Sequence, residues 1–367
     1  MNASSPPTLD WTEPLQTLLA DRSLTDLDRL VAEQLTQGGG ERRAAPDWLI
    51  GAYVDEGSYG EINRYAKAEI ERGAEALLFR LYRQPDATTI NRILKDIDAS
   101  TTGLHCSLRY PGQDPAELFR DLVRYLRQHG YDLSKVVGSV DFDPLLDWSE
   151  PPFPPLVRLL RFVAKWMPGF TVLQVNAAGF NNGTDLADTE IALSLAKAVA
   201  YLKTLEAAGY PARQACGHLK FALSVGTSFH GDVAKLRAIR RLWTTVLKEE
   251  FGVTTTEDKV LISAHTDVTT LTNDWAENRK RLSLHAHAMI QGGANLVFLT
   301  PLEQVDDSPT VRARNHATDV QKELRKEYTS LAQERDLKTI TDRLSEAAYD
   351  NYQHLVEQGG FATAVDL

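Results

Sequence analysis

The sequence predicts an α/β protein, a (β/α)8 barrel of the TIM type with a helical arm ahead of it. Two observations carry that reading. From Trp48 onward, short apolar runs alternate with amphipathic helical patterns, the signature of parallel βα units. No Gly-rich phosphate loop follows the first of these runs, which favours a closed barrel over an open nucleotide-binding sheet. The 367 residues are enough to bury one large core plus an arm.

Taken in order, the opening stretch "MNASSPPTLDW" has no basic flank and no apolar run, so neither a signal peptide nor a membrane anchor is expected. Thr12 to Gln37 reads as one or two short amphipathic helices, with Leu15, Leu18, Leu19, Leu27, Leu30 and Val31 near helical spacing. "QGGGERRAAP" then reads as a flexible break. These features predict an arm and linker over residues 1–45 and a barrel over 46–367.

Seven strands follow: "ALLFRLY" (Ala76 to Tyr82), "GLHCSL" (Gly103 to Leu108), "VVGSVDF" (Val136 to Phe142), "FTVLQVN" (Phe170 to Asn176), "LKFALSV" (Leu219 to Val225), "VLISAH" (Val260 to His265) and "ANLVFL" (Ala294 to Leu299). Helices are expected over Glu117 to His129, over Leu186 to Ala208, and along "DVAKLRAIRRLWTTVLKEEF", where Val233, Leu236, Ile239, Leu242 and Val246 fall on one stripe. The eighth strand is the weak element. "LKTIT" (Leu337 to Thr341) is the candidate for it, and closure there is expected to be irregular.

Forty Lys and Arg against 50 Asp and Glu give a net charge of −10, which argues against a nucleic-acid partner. No run of 18 apolar residues occurs, so a soluble, cytoplasmic protein is expected. Cys106 and Cys216 lie in apolar stretches without CxxC spacing, which predicts two reduced thiols rather than a disulfide or zinc site.

Candidate chemistry sits at strand ends, where barrels place their pocket residues. His265 and Asp267 close the "ISAHTD" strand. Asp141 and Asp143 put two carboxylates on one face of a strand end, where like charges could raise one pKa, although a solvated Pro turn is the plainer reading. Asn181 and Asn182 precede Gly183 and suit a turn. His285 and His287 stand at i and i+2 of a helix and point to different faces, so one metal ion is not expected to bridge them. P-loop, GxGxxG, HExxH and GxSxG patterns are all absent.

Five passages, "HLKFALSVGTSFHGDVAKLRAIRRLWTTVLKEEFG", "DLADTEIALSLAKAVAYLKTLEAAG", "GSVDFDPL", "MPGF" and "RNHATDVQKE", occur in an order that resembles the acyl-CoA-binding barrel of the methylmalonyl-CoA mutase family. The "AKLRAxRxLW" helix, Ala234 to Trp243, is the most specific of them, and the likeness runs from about Trp48 to near the C-terminus. The resemblance implies an eight-stranded barrel that threads the pantetheine arm of an acyl-CoA along its axis. It also implies adenosylcobalamin, delivered by a separate domain, and a radical rearrangement in a sealed cavity.

The same resemblance implies that the reactive groups are lost here. The family's carbonyl-polarising histidine and its neighbouring tyrosine fall on Gly179 and Ala178. Its coenzyme-binding arginine falls on Gly51, while Tyr53 keeps a tyrosine. A turn glutamine becomes Asp141, a strand arginine becomes His218, and an asparagine and a glutamate become Thr300 and Gln304. The shortened passage "LLDWSEPPFPP" lacks the arginine that would grip a substrate carboxylate, and the cobalamin domain's DxHxxG pattern does not occur.

The expectation is therefore a small, noncatalytic mutase subunit. It would bind no cofactor and no metal itself, and would form a heterodimer with a large catalytic subunit that carries adenosylcobalamin. The barrel-mouth positions to inspect are Tyr53, Asp141, Asn181, Asn182, His218, His265, Asp267 and Gln304. Two alternatives remain open. One is a substrate-binding barrel working with a separate cobalamin subunit, and the other is a freestanding small-ligand barrel near His265, Asp267 and Asn181.

Overall fold

The structure, a computed structural model, describes residues 19, 22–54, 58–81, 85–108, 115–143, 145, 153–181, 186–301, 304–305 and 308–364. Asn182 lies outside the described residues, as does the part of the arm before Leu19.

Among the described residues, eight parallel strands close into a ring: β1 (Leu49–Val54), β2 (Ala76–Leu81), β3 (Gly103–Leu108), β4 (Gly138–Asp141), β5 in two segments (Phe170–Thr171 and Leu173–Asn176), β6 (Leu219–Val225), β7 (Leu261–Thr266) and β8 (Leu296–Phe298). Closure depends on the break in β5. Its first segment pairs with β4 in the register Gly138↔Phe170, and its second pairs with β6 in the register Leu173↔Leu219. At the break, the Val172 N–H donates to the His218 carbonyl (3.2 Å), and the Gln174 N–H donates to the Phe142 carbonyl (2.9 Å). One residue thus turns the strand from one neighbour to the other without orphaning its amide.

The uncertain eighth strand is β1, at the start of the barrel, and not "LKTIT". It pairs with β2 on one side and β8 on the other. Leu337–Thr341 lies instead inside a long helix, Glu334–Glu357, where Leu337, Ile340 and Leu344 are all buried. Their spacing of three and four residues is helical, and it decides the element. The "QGGGERRAAP" segment likewise holds more structure than a flexible break, because Glu41–Arg42 pairs antiparallel with Thr329–Ser330.

Each strand is followed by a helix on the outside. With the arm helix α1 (Leu24–Gln37) counted first, these are α2 (Tyr59–Arg72), α3 (Ala87–Ile93), α4 (Pro115–Gln128), α5 (Phe153–Trp166), α6 (Ala187–Ala207), α7 (Phe229–Phe251), α8 (Trp275–Gln291) and α9 (Val311–Lys326), with α10 (Glu334–Glu357) packed across α6 and α7. The stripe Val233, Leu236, Ile239, Leu242 and Val246 of α7 is buried, as its spacing predicts.

α1 folds back on its own barrel. Its Leu27 and Val31 are buried, and the Asp28 carboxylate accepts from the His230 N–H (2.9 Å) and the Ser228 hydroxyl (2.8 Å) at the start of α7. The arm therefore caps a barrel helix whose first amides would otherwise lack acceptors. No helix among the described residues is long and apolar enough to cross a membrane.

Candidate functional site

Pairing in register points one residue in two of every strand at the barrel axis. Tyr53 aligns with Leu78, Leu78 with His105, and His105 with Ser139, while Ala222 aligns with Ser263 and His265 with Phe298. These residues make up the candidate site, which divides into an aromatic group and an ionic group.

In the aromatic group, the Tyr53 hydroxyl is 2.8 Å from His265 Nδ1, and His265 Nε2 is 3.1 Å from Ser263 Oγ. Ser263 gives its own hydrogen to the Phe221 carbonyl (3.4 Å), so His265 carries its proton on Nε2 and accepts from Tyr53 on Nδ1. The imidazole stacks on Phe298 with centroids 5.1 Å apart and planes 7° apart. Arg80 lies 4.3 Å above the Tyr53 ring.

In the ionic group, Lys220 Nζ lies 2.6 Å from Asp141 Oδ1 and 2.8 Å from Ser139 Oγ. The Ser139 hydroxyl donates to Asp141 (2.6 Å), and His105 Nδ1 sits 2.9 Å from Ser139 Oγ. Since the serine has one hydrogen and spends it on the carboxylate, His105 must donate from Nδ1. Burial holds the His105 imidazole well below its ordinary pKa, helped by the nearby Lys220 and His265, so the ring is neutral. The two groups meet where the rings of His105 (β3) and Phe298 (β8) contact edge to face, 6.3 Å apart, across the axis.

Of the residues singled out from sequence, the structure brings Tyr53 together with His265, and Asn181 with Asp267 (Nδ2 to Oδ2, 2.9 Å). Asp267 also accepts from the Thr269 amide (2.9 Å) and hydroxyl (2.7 Å), so it closes a local turn. Asp141 is not at the mouth but inside the barrel, held by Lys220. Asp141 and Asp143 do not share a site, because Asp143 pairs with Lys197 (2.5 Å) and also accepts from Tyr201 and the Asn176 N–H.

His218 lies at the opposite end from the mouth, just before β6, where its Nδ1 bonds the Phe170 carbonyl at 2.8 Å. Gln304 falls in a short hairpin, Gln304–Val305 against Ser308–Pro309, and its side chain lies outside the described residues. His285 and His287 are both buried in α8, where His287 bonds the Ser283 carbonyl (2.8 Å), and burial pushes His285 down to about 4. Cys106 and Cys216 are free thiols, each only half-buried.

Arg80, His105 and Lys220 were missed by motif reading, although the signal was there. Each is a polar residue within an apolar strand run, at the period-2 position that faces inward.

The specific helix motif serves the fold. Lys235 of α7 reaches Glu190 of α6 (3.0 Å) and Asp232 (3.3 Å), all three buried. Burial acts to lower the Lys235 ammonium, and the two carboxylates outweigh it, pushing it up to about 12. Arg240 bonds the carbonyls of Glu257 (2.7 Å), Val260 (2.5 Å) and Gly293 (2.7 Å), clamping the segments that lead into β7 and β8. Among the described residues no group of three or more His, Cys, Asp or Glu could hold a metal ion.

The family model for methylmalonyl-CoA mutase matches residues 88–367. The chain belongs to the methylmalonyl-CoA mutase family. Three relatives are each called methylmalonyl-CoA mutase small subunit. The one from Porphyromonas gingivalis is 25% identical, with 87% of this chain and 54% of the relative covered. Those from Streptomyces virginiae and Propionibacterium freudenreichii are each 26% identical, covering 96% and 81% of this chain and 61% and 48% of their own. The chain thus spans roughly half the length of the relatives it matches. In this chain Glu190 and Lys235 are buried in the frame of the barrel, and the partly buried Arg240 clamps its edge.

Proposed function

We propose that this chain is a noncatalytic, small-subunit-type barrel of a methylmalonyl-CoA mutase, which stabilises a large subunit that carries the adenosylcobalamin and the chemistry. The observation that carries the reading is the His105–Phe298 contact across the barrel axis. A pantetheine arm threaded along that axis would have to push these buried rings apart, although His105 is fixed by Ser139 and Phe298 is stacked on His265.

The mouth supports the same reading. The turn after β5, Ala177–Phe180, presents Ala178 and Gly179 where the resemblance calls for a tyrosine and a hydrogen-bond donor. Tyr53, the one tyrosine the comparison retains, is spent on His265 and buried beneath Arg80. These residues do not fit adenosylcobalamin, so no step through that cofactor is assigned to this chain.

Calorimetric titration with methylmalonyl-CoA, alone and in the presence of a large mutase subunit, tests the proposal. The expected result is no heat from acyl-CoA on the chain alone and a stable one-to-one complex with the large subunit. Micromolar acyl-CoA binding by the isolated chain would overturn it.

A further inference from the structure

A cleft of about 240 Å³ opens at the strand-start end of the barrel, the end away from the mouth. Its floor is His105 and Lys220, and Thr171, Leu49, Leu296 and Asp47 form its walls and rim. The volume is roughly eight times the share of one water in the liquid.

Two buried polar groups on this floor are incompletely matched. His105, 5% exposed, donates from Nδ1 to Ser139, which leaves Nε2 as an acceptor with no partner among the described residues. That atom points down the axis, since a Cβ placed on Gly103, two residues earlier on β3, would meet it at 3.1 Å. Lys220, 3% exposed, has three N–H bonds and spends two of them on Ser139 and Asp141. A buried acceptor and a buried donor left unmet each cost free energy, and the site that satisfies both must offer a donor and an acceptor together.

We propose that the strand-start cleft binds a small polyhydroxylated molecule, whose hydroxyl groups donate to His105 Nε2 and accept from Lys220. A carboxylate has no hydrogen for Nε2, and a cation is repelled by the Lys220 ammonium. A hydroxyl serves both groups, and further hydroxyls find the Thr171 side chain and the Asp47 carboxylate. The C–H edges of the molecule lie against Leu49 and Leu296. The axial contact of His105 with Phe298 makes the cleft blind, so this site stands independently of the mouth and of any acyl-CoA.

The probe is erythritol, titrated into the full chain carrying 15N-labelled histidine. The expected result is a saturable shift of the unprotonated His105 Nε2 resonance, with Nδ1 remaining the protonated nitrogen. Leu49→Trp, which fills the cleft from its exposed rim and touches none of the hydrogen-bonded groups, should weaken the response at least about tenfold in Kd. His105→Gln, which has no imidazole to observe, should lower the affinity similarly when erythritol binding is read by calorimetry. An Nε2 signal indifferent to erythritol would mean that water alone fills the cleft and would overturn the proposal. Equal binding by wild type and Leu49→Trp would place the polyol elsewhere and overturn it as well. A shift with pantetheine but none with erythritol would overturn the ligand class.

Discussion

Phe298 occupies the space that any side chain at position 51 would need. A Cβ built on Gly51 would lie 2.6 Å from two Phe298 ring carbons and 2.6 Å from the Val297 carbonyl oxygen. Position 51 is where the resemblance calls for a coenzyme-binding arginine, and here the axis is closed at that level by an aromatic ring. A long side chain at position 51 and the Phe298 ring exclude each other.

Gly51→Arg should therefore destabilise the barrel by at least about 1–3 kcal/mol, the range for overpacking a dense core. Thermal melts would show it as a lowered Tm. Pairing it with Phe298→Ala should recover only a fraction of the loss, since the Val297 carbonyl also crowds the site. Wild-type stability for Gly51→Arg alone would contradict the packing described.

The Glu190–Lys235 pair gives a second test. Replacing Lys235 with Met leaves Glu190 and Asp232 buried without their cation, at a cost of about 3–5 kcal/mol in chemical denaturation. Burial already raises the Glu190 and Asp232 carboxylates above their ordinary range, and Lys235 is what opposes it. Some of the loss should therefore be recovered at acid pH, where both protonate.

Asp28 ties the arm to α7. Asp28→Ala should cost about 1 kcal/mol through the lost cap. Amide hydrogen exchange should quicken along Leu24–Gln37 and at His230 while the barrel strands keep their protection. Uniform protection across α1 would argue that Leu27 and Val31 hold the arm unaided.

His285 should make the fold acid-sensitive. Its folded pKa of about 4 lies below the ordinary 6.5, so between those values the unfolded chain binds more protons. The stability is fully present above about pH 6.5 and is lost as pH falls toward 4, by an amount on the order of 3 kcal/mol. His285→Leu should flatten that region of the stability–pH curve. Burial lowers His218 and His287 in the same direction, so some slope should remain.

Ala178→Tyr combined with Gly179→His should fold, because a Cβ at Gly179 meets nothing within 4 Å. It should nevertheless give no methylmalonyl-CoA turnover in a mutase assay of the chain alone. Measurable turnover would sink the noncatalytic reading, since the axis would then have to admit substrate past His105 and Phe298.

The strands with uninterrupted apolar runs were legible from composition and period, and so was the α7 stripe. β1 lies outside the seven expected runs although "LIGAYV" is largely apolar, because a short run with a glycine inside it is a weak strand signal. "LKTIT" reads as a strand because five residues are too few to separate a β run from one turn of a buried helix.

Among the candidate site residues, His265 and Tyr53 stand in separate motifs, and nothing in the linear sequence joins positions 212 residues apart. The strand-end position of Asp141 points to a pocket, but its partner Lys220 comes from a strand two places round the ring. His218 enters the mouth group through the resemblance, which sets it at a strand arginine, whereas the structure puts it just before β6 at the strand-start end.

The sequence by itself determined the family and the alternation of strands and helices, because these are properties of residue type and order. Only the tertiary structure decided that the axis is crossed by His105 and Phe298, that Asp141 is neutralised by Lys220, and that α1 lies on its own barrel. Those outcomes depend on which strands are neighbours and in what register. Register is set by the closure of the whole ring, so no single segment contains it.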